Sequence, residues 1–266
     1  MFLRRSTRPC HEERNDVIEI VGLRKTLNGK RVLDGVDLDI HEGTSLVIMG
    51  PSGTGKSVLL KHIVGLFDPD EGDVFVEGLS VLNANGKQIQ EIRSKISYVF
   101  QNSALFDSMT TAQNIQLGLS TDHCRQVYAM TDPLVLEAIS LVNLGMEVLT
   151  LLPSALSGGM QKRVAIARAI VGRQRYILYD EPTTGLDPVN ANVINRLIAR
   201  VQRETGCTSI IVTHDVESAF FLGDRIVLLT DGKVRASGTP DELRHSNDPV
   251  VQDFLHPTLE KETIDG

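Results

Sequence analysis

The feature that most restricts the fold of this chain is a glycine-rich octapeptide, residues 50–57 (GPSGTGKS). A continuous apolar run, Ser45 to Met49, precedes it, and a helix-like segment, Lys56 to Gly65, follows it. Such an apolar run is typical of a strand that is buried on both faces, as strands of parallel sheets are. A strand, a turn of the pattern GxxxxGK[ST] and a helix together form a loop whose backbone N–H groups bind phosphate oxygens. We therefore expect an α/β domain with a nucleotide-phosphate site.

The residues of this phosphate-binding loop have separate expected roles. Glycines allow backbone angles that are closed to other residues, and the N-terminus of the following helix adds partial positive charge. We expect Lys56 to reach the β- and γ-phosphates and the Ser57 hydroxyl to ligate Mg²⁺. The residues predicted to bind the nucleotide are Gly50, Pro51, Ser52, Gly53, Thr54, Gly55, Lys56, Ser57 and Val58.

A second apolar run, Ile177 to Tyr179, ends in two acidic residues, Asp180 and Glu181. An isolated Asp-Glu pair is usually a solvated turn, but a carboxylate that ends a buried strand beside a phosphate loop is placed to hold Mg²⁺. Successive side chains diverge at the end of a strand, so the two acids need not share one role. We expect Asp180 to serve the metal and Glu181 to activate a water as general base.

Composition excludes some classes of protein. The chain has 266 residues and a net charge of −7, with acidic and basic residues interspersed, which disfavours a nucleic-acid partner. No apolar run approaches the roughly 18–20 residues that cross a bilayer, and the N-terminus lacks the apolar core of a signal peptide. We expect a cytosolic chain whose membrane spans, if any are needed, come from another subunit. The cysteines, Cys10, Cys124 and Cys207, are too widely spaced to predict a disulfide framework or a zinc site.

Patterning divides the chain into an arm (1–16), a domain (17–255) and a tail (256–266), with flexibility expected in the arm. Alternating apolar and charged residues over 17–21 and 32–40 predict an antiparallel, half-exposed sheet. A segment with few β-branched runs, about 102–160, predicts a helical insert. The dipeptide Asp231-Gly232 predicts a hairpin between strands at 226–230 and 233–237. Further strands are predicted at 74–76, 96–100, 176–179 and 208–213, and further helices at 133–144, 157–171, 193–203, 216–222 and 241–244.

These motifs, in this order, resemble the nucleotide-binding subunit of an ABC transporter over nearly the whole chain, from about Val17 to Leu255. The segment 156–161 (LSGGMQ) resembles the ABC signature, and 185–187 (GLD) resembles the D-loop. The resemblance implies an ATPase that uses ATP and Mg²⁺. It also implies a P-loop NTPase fold, the ABC cassette, with a RecA-like core, an antiparallel β subdomain and a helical signature subdomain.

The resemblance further implies a head-to-tail dimer of two copies that encloses two ATP molecules. Ser157, Gly158 and Gly159, with the dipole of the helix that follows, would form an anion site for the γ-phosphate held by the other copy. Asp187 of the D-loop would connect the two sites across the dimer.

Two residues at strand ends complete the implied site. Gln101 resembles the Q-loop glutamine, which contacts Mg²⁺ or the attacking water, and His214 resembles the switch histidine, which contacts the γ-phosphate and the base. The implied catalytic residues are Lys56, Gln101, Glu181 and His214, and the implied metal ligands are Ser57, Gln101 and Asp180.

One position departs from the family pattern. The aromatic residue that usually stacks on adenine is replaced in the segment 25–29 by Leu27, which can pack on a base but offers no π-stacking. Selectivity between ATP and GTP therefore stays open.

The segment 101–114 is similar to that of the Mla/Mce-type lipid-transport ATPases, as is 180–188 (DEPTTGLDP). Residues just after the Q-loop glutamine contact the membrane subunit in this family. The resemblance implies an integral membrane permease, an Mce-type lipid-binding subunit and a place on the cytoplasmic face of the inner membrane. An ATPase for another solute, such as an amino acid, and a soluble ATPase of iron–sulfur assembly stay open as alternatives.

Overall fold

The computed structural model describes residues 16–256. The strands are β1 (Asp16–Leu27), β2 (Lys30–His41), β3 (Ser45–Met49), β4 (Glu71–Val76), β5 (Leu79–Ser80), β6 (Ile96–Val99), β7 (Tyr176–Asp180), β8 (Thr208–Thr213), β9 (Arg225–Thr230) and β10 (Lys233–Gly238). The helices are α1 (Lys56–Ile63), α2 (Gly86–Ser94), α3 (Thr111–Gln116), α4 (Thr121–Gln126), α5 (Pro133–Leu141), α6 (Gly158–Ile170), α7 (Pro188–Thr205), α8 (Val216–Leu222), α9 (Pro240–Arg244) and α10 (Pro249–Leu255). Apart from Asp16 and His256, the predicted arm and tail lie outside the described residues.

The larger sheet has the strand order β10-β9-β3-β8-β7-β6. Each pair of adjacent strands runs parallel except β9 and β10, which are antiparallel to each other. Successive residues of β3 enter different hydrophobic clusters: Val47 and Met49 pack on one face, and Leu46 and Ile48 pack on the other. This arrangement confirms that the continuous apolar run before the phosphate-binding loop is a strand covered on both sides.

The smaller sheet is antiparallel, with the order β2-β1-β4-β5. In β2 the apolar side chains of Leu33, Val36, Leu38 and Ile40 are buried, whereas Asp37 is exposed, as the alternation predicts. Both β1 and β2 are longer than predicted, because bulges break their pairing without ending it. One bulge lies at Gly22, whose N–H donates to the Asp37 carboxylate at 2.8 Å.

The hairpin predicted at Asp231-Gly232 is confirmed. Both residues have positive φ, 48° and 73°, as a two-residue type I′ turn requires. The turn also joins the two sheets, because the Asp34 N–H donates to the Gly232 carbonyl at 2.8 Å.

The chain between β6 and β7 forms helices and turns, in agreement with the predicted helical character. α3 and α5 pack against α6, which leads back to the larger sheet at β7. The helix predicted at 133–144 is α5, which begins at a proline and is capped by the buried Asp132. The limits assigned to the insert, 102 and 160, remain predictions.

Some elements were not predicted, and one helix begins earlier than predicted. α2 has a capping box formed by Asn85 and Gln88, but Ile92 is its only buried residue, so its apolar pattern is weak. α7 begins at Pro188 instead of residue 193, because Asp187 caps it and a proline at the first position is compatible with a helix start. β5 and α10 are too short to show a clear period. None of the helices described between residues 16 and 256 is long and apolar enough to cross a bilayer.

Candidate functional site

The phosphate-binding loop connects the end of β3 to α1 and requires glycine at two positions. Gly50 has φ 154°, and a Cβ there would lie 2.1 Å from the Leu229 carbonyl oxygen. Gly55 caps α1 with φ 97°, and a Cβ there would lie 2.4 Å from the Val32 carbonyl oxygen. Only a residue without a Cβ lets the loop pack this closely against its neighbours.

The loop borders an open cavity of about 490 Å³. Of the residues predicted to bind the nucleotide, Ser52, Gly53, Gly55, Lys56, Ser57 and Val58 line this cavity. The other three, Gly50, Pro51 and Thr54, take part in hydrogen bonds within the loop. The Lys56 ammonium donates to the carbonyls of Gly50 (2.7 Å) and Pro51 (2.8 Å), and the Thr54 hydroxyl donates to the Pro51 carbonyl at 2.9 Å.

The Lys56 side chain is almost fully buried and supplies positive charge to the cavity. Burial lowers its pKa, and the nearby carboxylates of Glu181 and Asp180 partly counter that effect. Its ammonium lies 3.9 Å from a Glu181 oxygen. A buried ammonium beside the cavity favours an anionic ligand such as a phosphate, because charge-assisted hydrogen bonds are strong. The carboxylates of Asp180 and Glu181 would repel such a ligand, and a bound cation would offset that repulsion.

Three oxygen-bearing side chains meet at the end of β7. The Ser57 hydroxyl donates to one oxygen of Asp180 at 2.6 Å, and the Tyr98 hydroxyl donates to the other at 2.9 Å. Burial raises the pKa of Tyr98, and the Asp180 charge raises it further, so the phenol keeps its proton. Hydroxyl and carboxylate oxygens are the ligands that Mg²⁺ prefers, so Ser57 and Asp180 fit the metal predicted for them.

Glu181 has different hydrogen-bond partners from Asp180. One Glu181 oxygen accepts a hydrogen bond from the Thr184 hydroxyl (2.9 Å) and lies 2.8 Å from His214 Nδ1. Glu181 has φ 50°, a strained angle for a residue other than glycine, and its N–H donates to the Val212 carbonyl at 2.9 Å. Such strain is typical of functional sites, where the surrounding structure holds a side chain in one orientation.

Gln101 and His214 both line the cavity, together with Glu181. Gln101 follows β6 and is exposed, and its main-chain carbonyl accepts a hydrogen bond from the ammonium of Lys162 on α6. The predicted catalytic residues Lys56, Gln101, Glu181 and His214 are therefore brought to one cavity.

The signature residues lie elsewhere on the same chain. Ser157 caps α6, where its hydroxyl oxygen accepts from the Met160 N–H at 3.3 Å, and both Ser157 and Gly158 are exposed. Asp187 caps α7 and binds the Asn190 side chain at 2.6 Å. The structure places neither Ser157, Gly158, Gly159 nor Asp187 in the lining of this chain's own phosphate cavity.

Three residues at the site were not predicted. Val32 and Thr184 line the cavity, and the Tyr98 hydroxyl donates a hydrogen bond to Asp180. Leu27, where base packing was expected, does not line the cavity. The sequence carries a weak signal for Tyr98, since the hydroxyl of a tyrosine inside a predicted strand needs a partner wherever that strand is buried. Val32 offers no such signal, because its position depends on how β2 passes the loop.

Similarity to known proteins identifies the family of this chain. The family model for the ABC transporter matches residues 33–184. The chain belongs to the ABC transporter family and is an ATP-binding domain of the ATP-hydrolysing kind.

The probable ribonucleotide transport ATP-binding protein mkl of Mycobacterium leprae is 37% identical over 239 residues, which are 90% of this chain and 68% of that protein. The intermembrane phospholipid transport system ATP-binding protein MlaF of Haemophilus influenzae is 35% identical over 90% of both chains. The spermidine/putrescine import ATP-binding protein PotA of Aliivibrio fischeri is 36% identical, but the match covers only 60% of that protein.

Among solved structures, a dimeric post-hydrolysis state of the ATP-binding cassette MJ0796 with ADP and Pi is similar to this chain. Its TM-score is 0.72 and its identity 33%, over 84% of this chain and 98% of that one. The cbiO1 protein of Clostridium perfringens, part of the transporter complex cbiONQ, has a TM-score of 0.75 and an identity of 27%, over 91% of this chain and 96% of that one. Both similarities confirm the predicted ABC cassette fold.

Proposed function

We propose that two copies of this chain close around two ATP molecules bound with Mg²⁺, and that this closure drives a permease that moves phospholipid. The observation that carries the proposal is that the predicted nucleotide-binding residues lie at two separate places on the chain. The phosphate loop, Glu181 and His214 face one cavity, whereas the anion-binding start of α6 at Ser157 is exposed outside it.

Hydrolysis in this site depends on positioning and charge. Lys56 holds the phosphates, and Ser57 and Asp180 hold Mg²⁺, which neutralises charge on the phosphate oxygens when it is bound. Glu181 is placed to orient a water and to accept its proton, and His214 and Thr184 keep that carboxylate in one orientation.

The second copy would complete the site. The N–H groups of Gly158 and Gly159, at the start of α6, have no acceptor within the helix, and Ser157 and Gly158 are exposed, whereas the Met160 N–H is capped by the Ser157 hydroxyl. A phosphate carried by another copy could accept from these groups and benefit from the helix dipole. A dimeric cassette structure, similar to this chain, supports the association of two copies.

A phospholipid substrate is supported by two observations. The segment 101–114 resembles the lipid-transport group, and MlaF matches this chain over 90% of both lengths, whereas PotA is matched over only 60% of its length.

The exposed apolar side chains of Phe106 and Leu117 offer a contact surface for an integral permease. The chain would then work on the cytoplasmic face of the inner membrane, with an Mce-type subunit in the same complex. Polyamine import is the second candidate, because the PotA identity is similar.

Replacement of the proposed base tests the ATPase site. We expect Glu181→Gln to keep ATP binding, because the loop residues are untouched, and to lose most turnover, since general base catalysis contributes about 10²–10⁴-fold. Glu137→Gln, an exposed acid on α5, is the matched control and should retain activity. Turnover of Glu181→Gln at the wild-type rate would show that Glu181 is not the base.

The substrate class needs the complex with its membrane partners. We expect the tagged chain to co-purify with an integral permease whose bound lipids, identified by mass spectrometry, are phospholipids. ATP hydrolysis by this complex in phospholipid nanodiscs should not respond to spermidine. Stimulation of ATP hydrolysis by spermidine would favour polyamine import instead.

A further inference from the structure

Two basic side chains of α6, Lys162 and Arg168, contact the turn that follows β6, residues 101–104. The Lys162 ammonium donates to the Gln101 carbonyl, and the Arg168 guanidinium donates to the carbonyls of Ser103 and Ala104, each at 2.7 Å. Three carbonyls within four residues therefore accept from charged donors on a single helix.

The backbone of this turn is strained. Ser103 and Ala104 have positive φ, 59° and 46°, which is unfavourable for residues that carry a Cβ. Within the turn, the Ser103 N–H donates to the Phe100 carbonyl at 3.0 Å and the Ala104 N–H donates to the Asn102 carbonyl at 2.6 Å. The contacts from α6 stabilise this strained conformation, because charge-assisted hydrogen bonds are stronger than neutral ones.

Lys162 differs from Arg168 in its surroundings. Its side chain is buried, and its charge lies within the field of Asp180 and Glu181, whose carboxylates oppose the lowering of its pKa by burial. It lies five positions after Ser157 on the same helix. Lys162 thus stands between the exposed start of α6 and the cavity where Gln101 lies.

We propose that Lys162 is a positioning residue that ties Gln101 to α6, so that the orientation of the helix beginning at Ser157 determines where the Gln101 amide lies in the cavity. The inference rests on the proposed function, in which Gln101 contacts Mg²⁺ or the attacking water. Lys162 touches no reacting atom. When a second copy binds at Ser157, any tilt of α6 is passed through Lys162 to Gln101.

A double-mutant cycle tests this coupling, because residues that act through one another are not additive. The variants are Lys162→Met, Gln101→Ala and their combination, with Lys162→Arg as the conservative variant. Lys95→Met is the control: its ammonium donates to the carboxylates of Glu77 and Glu91, and Lys95 lies outside the lining of the cavity.

We expect Lys162→Met to lower kcat about tenfold, the lower end of effects seen for outer-shell residues at metal sites. Its affinity for a fluorescent ATP analogue should stay within about twofold, since the loop residues that bind phosphate are unchanged. Lys162→Arg should restore most of the activity, and Lys162→Met should have no further effect on kcat in the Gln101→Ala background. Equal loss in both backgrounds would overturn the coupling, as would a loss of kcat in Lys95→Met.

Hydrogen exchange gives a readout that does not depend on turnover. Amide exchange in the segment 100–105 should accelerate in Lys162→Met, because the anchoring contact is lost, and should be unchanged in Gln101→Ala, which keeps the carbonyl. Unchanged exchange in Lys162→Met would overturn the proposal. If Glu181→Gln loses turnover while Lys162→Met does not, the inference fails alone. If Glu181→Gln keeps full turnover, the proposed function itself fails.

Discussion

Removal of the Tyr98 hydroxyl tests how the metal ligand Asp180 is held. Asp180 accepts two hydrogen bonds, one from Ser57 and one from Tyr98. Mg²⁺ binding at Ser57 would compete with the first contact, because the hydroxyl would turn its lone pair to the metal. The Tyr98 contact would remain and fix the carboxylate orientation. Tyr98→Phe therefore removes the contact that would continue to orient Asp180 once Mg²⁺ is bound.

The expected magnitude follows from that single contact. A hydrogen bond to a charged group contributes about 1.5–3 kcal/mol, which corresponds to roughly 10–150-fold in an equilibrium constant. Loss of outer-shell partners at metal sites costs a similar factor, about 10–100-fold. We expect the Mg²⁺ concentration at half-maximal ATP hydrolysis to rise at least tenfold in Tyr98→Phe. Titration of Mg²⁺ at fixed ATP, followed by phosphate release, measures it.

Tyr176→Phe is a closely matched control on the same sheet. The Tyr176 hydroxyl also donates to a carboxylate, Glu77, at 2.7 Å, but neither residue lines the cavity. This variant should lose stability without a change in its Mg²⁺ dependence. An unchanged Mg²⁺ dependence in Tyr98→Phe, or an equal shift in both variants, would refute the role assigned to Tyr98.

Two further predictions concern the loop and the helical segment. Gly55→Ala should abolish ATP binding in a fluorescent-analogue assay, since its Cβ would lie 2.4 Å from a main-chain oxygen; Gly206→Ala, also at positive φ but in open space, should bind normally. Asp132→Asn should lower the melting temperature by about 4–8 °C at neutral pH, from a loss of about 2 kcal/mol. Burial raises the pKa of Asp132, but hydrogen bonds from Gln116 and His123 outweigh this and hold it below 3.8. The carboxylate thus adds stability above that pH, and the difference between the melting curves should shrink as the pH falls through the folded-state pKa; a constant difference would contradict the assignment.

Elements with strong local signals could be predicted from the sequence. The run 45–49 predicted a strand buried on both faces, and Asp231-Gly232 predicted a hairpin, because both signals depend on neighbouring residues. The loop residues, Asp180 and Glu181 could be placed near one another because the carboxyl ends of parallel strands meet at one edge of a sheet.

Features that depend on contacts between distant segments could not be predicted. Val32 reaches the cavity because β2 passes the loop, and Tyr98 reaches Asp180 because β6 pairs with β7. The contact of Lys162 with Gln101 joins residues 61 positions apart, and no local pattern marks it. α2 was missed for a different reason: its surface is mostly polar, so it shows no clear apolar period. The capping box at its start was the signal that could have predicted it.

The mass of the chain in solution with ATP tests the central claim, that a second copy completes the site, most directly. Light scattering on Glu181→Gln with Mg²⁺ and ATP should give twice the mass found without nucleotide, because ATP that is bound but not hydrolysed holds two copies together. Glu181→Gln combined with Ser157→Arg should bind ATP and keep the single-chain mass. Ser120→Arg, which replaces the exposed cap of α4, is the control and should still allow doubling. An ATP-dependent dimer that survives Ser157→Arg would contradict the proposal that α6 binds the nucleotide of the partner copy.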